Sequence, residues 1–173
     1  VLTVILLLMM IPGSVGMVPL YMTICDFPYL HFSMLDTFWP MWIMTMGNCF
    51  NILLFKDFFD SIPISYIESA KIDGANNMLI FFRIIIPLSM PIVTTVTIFT
   101  FNGAWGDFMW PYLILSDTQL HTISVFLFQN KTGQFTEDMY MVMLTIAIVP
   151  PVITYAFLQK HIMGGLTVGG VKG

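Results

Sequence analysis

The sequence predicts an all-α fold, a polytopic helical membrane protein, and two observations carry that prediction. Hydrophobic residues make up 57% of the 173-residue chain and charged residues only 9%, with a mean hydropathy of +0.85, whereas a water-soluble domain carries about 25% charged residues. So few charges cannot cover a surface facing water, and membrane lipid is the solvent that fits. The second observation is that four apolar stretches approach about 20 residues, the length of a bilayer-crossing helix.

The first stretch covers residues 2–24 and is interrupted by Pro12, Gly13, Gly16 and Pro19. The chain opens inside it at Val1, with no charged leader region, and is expected to lack its beginning. The second stretch, 38–55, is short and carries Asn48 and Asn51; the third, 88–110, contains Asn102, Trp105 and Asp107; the fourth, 140–158, contains Pro150 and Pro151. Prolines are tolerated in lipid when neighbouring helices and waters satisfy the freed carbonyls, so they predict kinks within four transmembrane helices. The positions of Lys and Arg set the orientation. Residues 25–37 carry none and 111–139 only Lys131, whereas Lys56, Lys71 and Arg83 lie in 56–87 and Lys160 and Lys172 follow the last stretch. Five of the six basic residues thus fall on one side of a four-span path, and that side, with the C-terminus, is expected to be cytoplasmic.

The most polar of the connecting segments is the most informative. Ser65 and Glu68 have capping-box spacing, which predicts a helix running to Asp73 with Gly74 as the left-handed residue after it. Such a helix is about 12 Å long, too short to stand alone in water. Tyr66, Ile67, Ala70 and Gly74 form its small, partly apolar face. Asn76 or Asn77 caps a second helix that Pro87 ends or kinks. On spacing alone two readings stand: a tight helix-turn-helix with solvated Glu68 and Asp73, or a docking site for a cytoplasmic partner.

Glu68-Ser69-Ala70, then Gly74, then Ile84-Ile85-Ile86-Pro87 resembles the EAA loop of ABC-importer permeases: Glu-Ala-Ala, three residues, Gly, nine residues, Ile-x-Leu-Pro. Ser69 and Ile86 are mild departures from it. The segments "MIPGSVGMVPLY", "FNGAWGDFMWPYLILSD" and "GGLTVGGVKG" are similar to the maltose-type, carbohydrate-uptake branch, although Gly106 stands where that branch commonly has Asn. The resemblance covers essentially the whole chain, 1–173, as a permease domain with 56–87 as its coupling loop. It implies a six-helix permease of which these are the last four spans, in a bacterial cell membrane. It further implies cytoplasmic ATP-binding cassette subunits, a second, homologous permease subunit, an extracellular or periplasmic sugar-binding protein and a sugar substrate. Glu68, Ser69, Ala70, Asp73 and Gly74 would dock the ATPase, and the glycine-rich tail would reach it.

A sugar pathway would draw on Asn48, Asn51, Asn102, Trp105 and Asp107. The alternatives are helix-helix hydrogen bonding for the asparagines, interface anchoring for Trp105 and Trp110, and a local cap or pair for Asp107. His31, His121 and His161 read as loop residues with no acidic partner nearby. Cys25 and Cys49 read as small apolar packing residues and the methionines as flexible packing. No metal-ligand spacing, cofactor motif or catalytic constellation is present, and with no G-x-x-x-x-G-K-[ST] loop ATP hydrolysis is expected on another subunit. A basic patch for nucleic acid is missing as well. An intramembrane protease lacks its paired carboxylates or its His-x-x-x-His zinc site. A secondary transporter or channel remains the rival reading, without the midplane charges such proteins use.

Overall fold

The computed structural model describes residues 2–131 and 135–166, and the regular elements among these are helical. In order they are α1 (Leu2–Met9), α2 (Met17–Cys25), α3 (Trp39–Met46), α4 (Cys49–Ser61), α5 (Ile64–Ile72), α6 (Asn77–Ile80), a π-helical turn (Phe81–Ile85), α7 (Ile86–Leu88), α8 (Met90–Gly106), α9 (Met109–Ile114), a 3-10 turn (Thr118–Leu120), α10 (Ile123–Gln129) and α11 (Glu137–Leu166). From residue 167 onward the glycine-rich tail, Lys172 included, lies outside the described residues, so the expectation that it reaches another subunit is not addressed by the fold.

The chain is helical, and the four expected spans differ in how continuous they are. Among the described residues only α11 holds a continuous apolar stretch long enough to cross a bilayer, Glu137–Gln159, and it runs through Pro150 and Pro151. A second candidate is the pair Asn77–Leu88 and Met90–Gly106, bent by 65° at its break. The first expected span is split into α1 and α2 by a turn in which the Val15 N–H donates to the Pro12 carbonyl at 3.0 Å. The second is split where Gly47 ends α3 and α4 starts at Cys49. His161, expected in a loop, falls within α11.

The prolines explain much of this division. Pro19, Pro40, Pro91 and Pro111 sit in the first turns of α2, α3, α8 and α9. There a backbone N–H has no intrahelical acceptor to lose. They start helices instead of kinking them. Pro87 acts differently: it has no N–H for the Arg83 carbonyl, and its ring crowds that oxygen. Just before it the helix widens into the π turn, with the Ile86 N–H reaching back to the Phe81 carbonyl. The 65° bend follows at Ser89, which is 2% exposed. Its N–H is shared between the Ile85 and Ile86 carbonyls at 2.9 and 3.0 Å, and its hydroxyl donates to Ile85 at 2.6 Å.

Contacts gather the chain into two units, residues 1–49 with 101–152 and residues 50–100 with 153–173. In the first, Ile24, Ile114 and Leu115 form a buried cluster against which Met34, Leu35, Met41, Met44, Trp110 and Leu120 pack. Polar ties brace it. The Asp36 carboxylate accepts from the Ser116 and Asp117 N–H groups at 2.6 and 3.0 Å, while the Asp36 N–H donates to the Ile114 carbonyl at 3.0 Å. Asp36 sits at φ +54, a left-handed conformation that aspartate tolerates better than most residues. In the second unit Ala70, Ile80, Ile92 and Ile98 are buried, and Asn51 donates to the Thr100 hydroxyl at 3.3 Å. Large apolar side chains such as Leu7, Ile148 and Phe157 are exposed, as expected of a surface whose solvent is lipid.

Asp36 supplies the first testable expectation. Asp36→Ala strips two backbone N–H groups of a charged acceptor and lowers stability by about 2 kcal/mol, read as a reduced thermal midpoint of the detergent-purified protein. Asp36→Asn keeps an acceptor oxygen and loses less. Equal midpoints for Asp36→Ala and the unaltered chain would rule out the clamp.

Candidate functional site

The site centres on α5. Its helix starts at Ile64, with Pro63 in the N-cap position and no side-chain cap, so the expected Ser65–Glu68 capping box does not form. Pro63 fixes the preceding φ and starts the helix, placing Ser65 inside the first turn. The other end matches expectation closely. Gly74 adopts φ +79, its N–H donates to the Lys71 carbonyl at 3.0 Å, and the Ala75 N–H donates to the Ala70 carbonyl at 2.9 Å. That pair of bonds is a Schellman motif, which satisfies carbonyls that the helix end would otherwise leave open. Two residues later the Asn76 side chain accepts from the Leu79 N–H at 2.8 Å, so Asn76 and not Asn77 caps α6.

Helical geometry then sorts the side chains of α5 onto two faces. Ile67 is half-buried and Ala70 is buried at 8% exposure, so this face packs the helix onto its own chain. Ala70 therefore secures α5 from within. Ser65, Glu68, Ser69 and Ile72 lie on the opposite, exposed face. Ile72 is 86% exposed and Ile64 68%, bracketing Glu68 one turn to either side. Sequence reasoning passed over these two isoleucines, and the i, i+4, i+8 spacing that would have found them emerges only when the helix is started at Ile64.

Between α5 and the π turn lies an open groove of about 480 Å³, lined by Tyr66, Ser69, Ala70, Asp73, Arg83, Ile84, Pro87 and Leu88. It brings Ser69, Ala70 and Asp73 of the expected docking set together; Glu68 and Gly74 are outside it. Upstream on α4, Lys56 pairs with Asp60, and the carboxylate hydrogen-bonded to its ammonium raises the Lys56 pKa.

The residues expected along a sugar pathway lie apart from α5 and have these surroundings. The Trp105 indole N–H donates to the Ala147 carbonyl of α11 at 3.0 Å, the Ser124 hydroxyl donates to the Trp105 carbonyl at 3.1 Å, and the indole stacks on Phe101 at 5.7 Å. Trp105 thus binds α8 to α10 and α11. Asn51 ties α4 to Thr100, Asn102 is exposed, and Asn48 is engaged within the chain. The Asp107 carboxylate approaches the Trp110 N–H at 3.4 Å. It also lines a cavity of about 130 Å³ with Met41, Met44, Thr45, Ala104 and Trp110. Neither Asn102 nor Trp105 lines that cavity. His31, expected to lack an acidic partner, has its Nδ1 3.2 Å from an Asp26 carboxylate oxygen.

Residues 1–167 match the model of the binding-protein-dependent transport system inner membrane component family. The chain belongs to that family. The family is one of inner-membrane components of transport systems. It is 34% identical over 176 residues to the polygalacturonan/rhamnogalacturonan transport system permease protein YtcP of Bacillus subtilis, covering 92% of this chain and 60% of that one. It is 35% identical over 177 residues to the galactooligosaccharides transport system permease protein GanQ of the same organism, covering 99% and 60%. A solved bacterial ABC transporter involved in the import of the acidic polysaccharide alginate superposes with a TM-score of 0.72 at 26% identity, over 91% of this chain and 59% of that one. The inner-membrane component described here therefore spans about 60% of the length of the curated relatives it matches.

Two substitutions test the local construction of α5 and α6. A Cβ at Gly74 meets no atom within 4 Å, so Gly74→Ala is opposed by conformation alone, at about 1–2 kcal/mol. Asn76→Ala removes a cap worth about 1 kcal/mol and Asn76→Ser keeps most of it. Hydrogen exchange across residues 66–79 is expected to quicken roughly five-fold or more in the two alanine variants, and unchanged exchange would count against both roles.

Proposed function

We propose that this chain is the membrane-spanning permease subunit of an ATP-driven importer of sugars or oligosaccharides, and that α5 is the helix through which an ATPase subunit moves it. The observation that carries the proposal is the outward face of α5, where Glu68 stands between two exposed isoleucines on a helix too short for independent stability. Such a face suits a partner that buries apolar anchors and pairs one carboxylate. Ala70 and the Gly74 turn hold the helix to its chain, so a displacement of α5 is passed to the π turn and the bend at Ser89.

On this reading residues 2–24, 38–55, 88–110 and 140–158 are the four membrane passages, each broken stretch counting as one span of a six-helix permease. The distribution of basic residues supports a cytoplasmic position for α5 and the C-terminus. ATP hydrolysis belongs to separate cytoplasmic ATP-binding cassette subunits, the translocation path is shared with a second permease, and an extracellular or periplasmic binding protein delivers the sugar. Carbohydrate is the cargo class because the relatives are named for galactooligosaccharides and for polygalacturonan or rhamnogalacturonan. Glu68, Ser69, Asp73 and Gly74 shape the docking surface together with Ile64 and Ile72. Family membership weighs against a secondary transporter or channel with no ATPase.

The assembled transporter provides the test. Ile72→Asp and Glu68→Lys are each expected to reduce co-purification of the ATPase subunit with the permease about 30-fold, the effect of losing a contact worth about 2 kcal/mol, and to abolish sugar uptake while the permease still reaches the membrane. Uptake that persisted with no ATPase bound would overturn the reading.

A further inference from the structure

α5 and the π turn each give one charge to the groove between them, and the two charges do not meet. Asp73 lines the groove from the end of α5 and Arg83 from the π turn, around an open space of about 480 Å³, within the range of small-molecule sites, about 300–1,000 Å³. Among the described residues neither side chain takes part in a hydrogen bond or ion pair. The Tyr66 and Ser69 hydroxyls line the same groove and are equally uncommitted among those residues.

Both charges stand where the chain itself gains little from them. Asp73 is the C-cap of α5, where the negative end of a helix disfavours a carboxylate. Arg83 interrupts an otherwise apolar run from Phe81 to Ile86, in a chain with only 9% charged residues. A charge kept in such apolar surroundings marks a site.

Opposite charges held apart call for a ligand that bears both. A phosphate pairs with a guanidinium through two parallel N–H···O bonds, and a primary ammonium offers three N–H donors to a carboxylate and nearby hydroxyls. The rest of the groove is apolar: Ile84, Pro87 and Leu88 line it, and the adjoining Phe81 and Phe82 are exposed. Phosphate, ammonium and hydrocarbon together describe an aminophospholipid, which a membrane supplies, and charged pockets on membrane proteins take lipid headgroups.

We propose that the groove between α5 and the π turn binds an aminophospholipid such as phosphatidylethanolamine, with the phosphate on Arg83, the ammonium on Asp73 and an acyl chain along Ile84, Pro87 and Leu88. The proposal takes from the family only that the chain lies in a membrane, and it holds for either orientation. Ile64, Glu68 and Ile72, which carry the ATPase contact in the proposed function, do not line the groove, so α5 can use both surfaces at once. The bound headgroup ties the end of α5 to the π turn. A side chain of the ATPase subunit is the competing occupant.

Native mass spectrometry of the complete, delipidated transporter, titrated with dioleoyl forms of phosphatidylethanolamine, phosphatidylcholine and phosphatidylglycerol, tests the site. Phosphatidylethanolamine is expected to bind first and about ten-fold more tightly than phosphatidylcholine, whose methylated nitrogen has no N–H to donate. Arg83→Gln is expected to weaken that binding about ten-fold, and Arg83→Lys to weaken it less. Asp73→Asn is expected to lose the preference for ethanolamine and to gain affinity for phosphatidylglycerol, whose anionic head no longer meets a carboxylate. Asp73→Asn decides the matter alone should Arg83→Gln fail to assemble. Equal affinities for the three lipids overturn the proposal, as does a preference that survives Asp73→Asn, the mark of a plain phosphate site. Lipid binding that appears only when the ATPase is absent gives the groove to that subunit and also overturns it. Lipid mass is read whether or not the ATPase docks through Ile72, so the two readings fail separately.

Discussion

A backbone that enters lipid must satisfy its own carbonyls and amides, because no water is there to do so. This chain meets that constraint under the hardest conditions between Pro87 and Pro91, two residues without N–H groups only four positions apart. The solution has three parts: a π turn before Pro87, a shared Ser89 N–H, and a Ser89 hydroxyl turned back onto Ile85. The bend follows from it, and so does the burial of a serine in otherwise apolar surroundings. Thr95 and Thr97 extend the pattern along α8 by donating to the Pro91 and Val93 carbonyls at 2.9 and 2.7 Å. Side-chain bonds of this kind to the i−4 carbonyl favour bending over rigidity.

Because burying apolar surface drives little association in lipid, the polar ties specify how the helices meet. Asn51 to Thr100, Trp105 to Ala147 and Ser124 to Trp105 each join elements distant in sequence. The same economy governs α5. Its inward face spends only Ile67 and Ala70 on the chain, which leaves Ile64, Glu68 and Ile72 for something else. On the proposed reading, a longer or more apolar inward face would fix the helix and blunt its response to an ATPase subunit.

The sequence made the site more legible than the span architecture, for identifiable physical reasons. Gly74 was readable because few residues tolerate φ +79, and Asn76 because its side chain competes for a helix N–H. The start of α5 was misread because Pro63 and Ser65 both carry start signals and only backbone geometry chooses between them. The interruption of residues 2–24 was readable in Pro12, Gly13, Gly16 and Pro19, but the division into α1 and α2 was not, because hydropathy is blind to backbone hydrogen bonds. The roles of Trp105 and Asn51 depend on partners at separations of 42 and 49 residues, which local spacing does not encode. The left-handed residues Tyr29 and His31 lie in a turn closed by bonds between Phe27 and Phe32 and between His31 and Phe27, a pattern the residue types do not announce.

The bend at Ser89 has a mechanical consequence. α8 begins one residue beyond it and is 17 residues long, about 25 Å at 1.5 Å per residue. A change of one degree in the bend would swing the far end of such a rod by roughly 0.4 Å, and five degrees by about 2 Å. If α5 is moved as proposed, the Ser89 hydroxyl and the widened turn before Pro87 are the fulcrum about which α8 would swing.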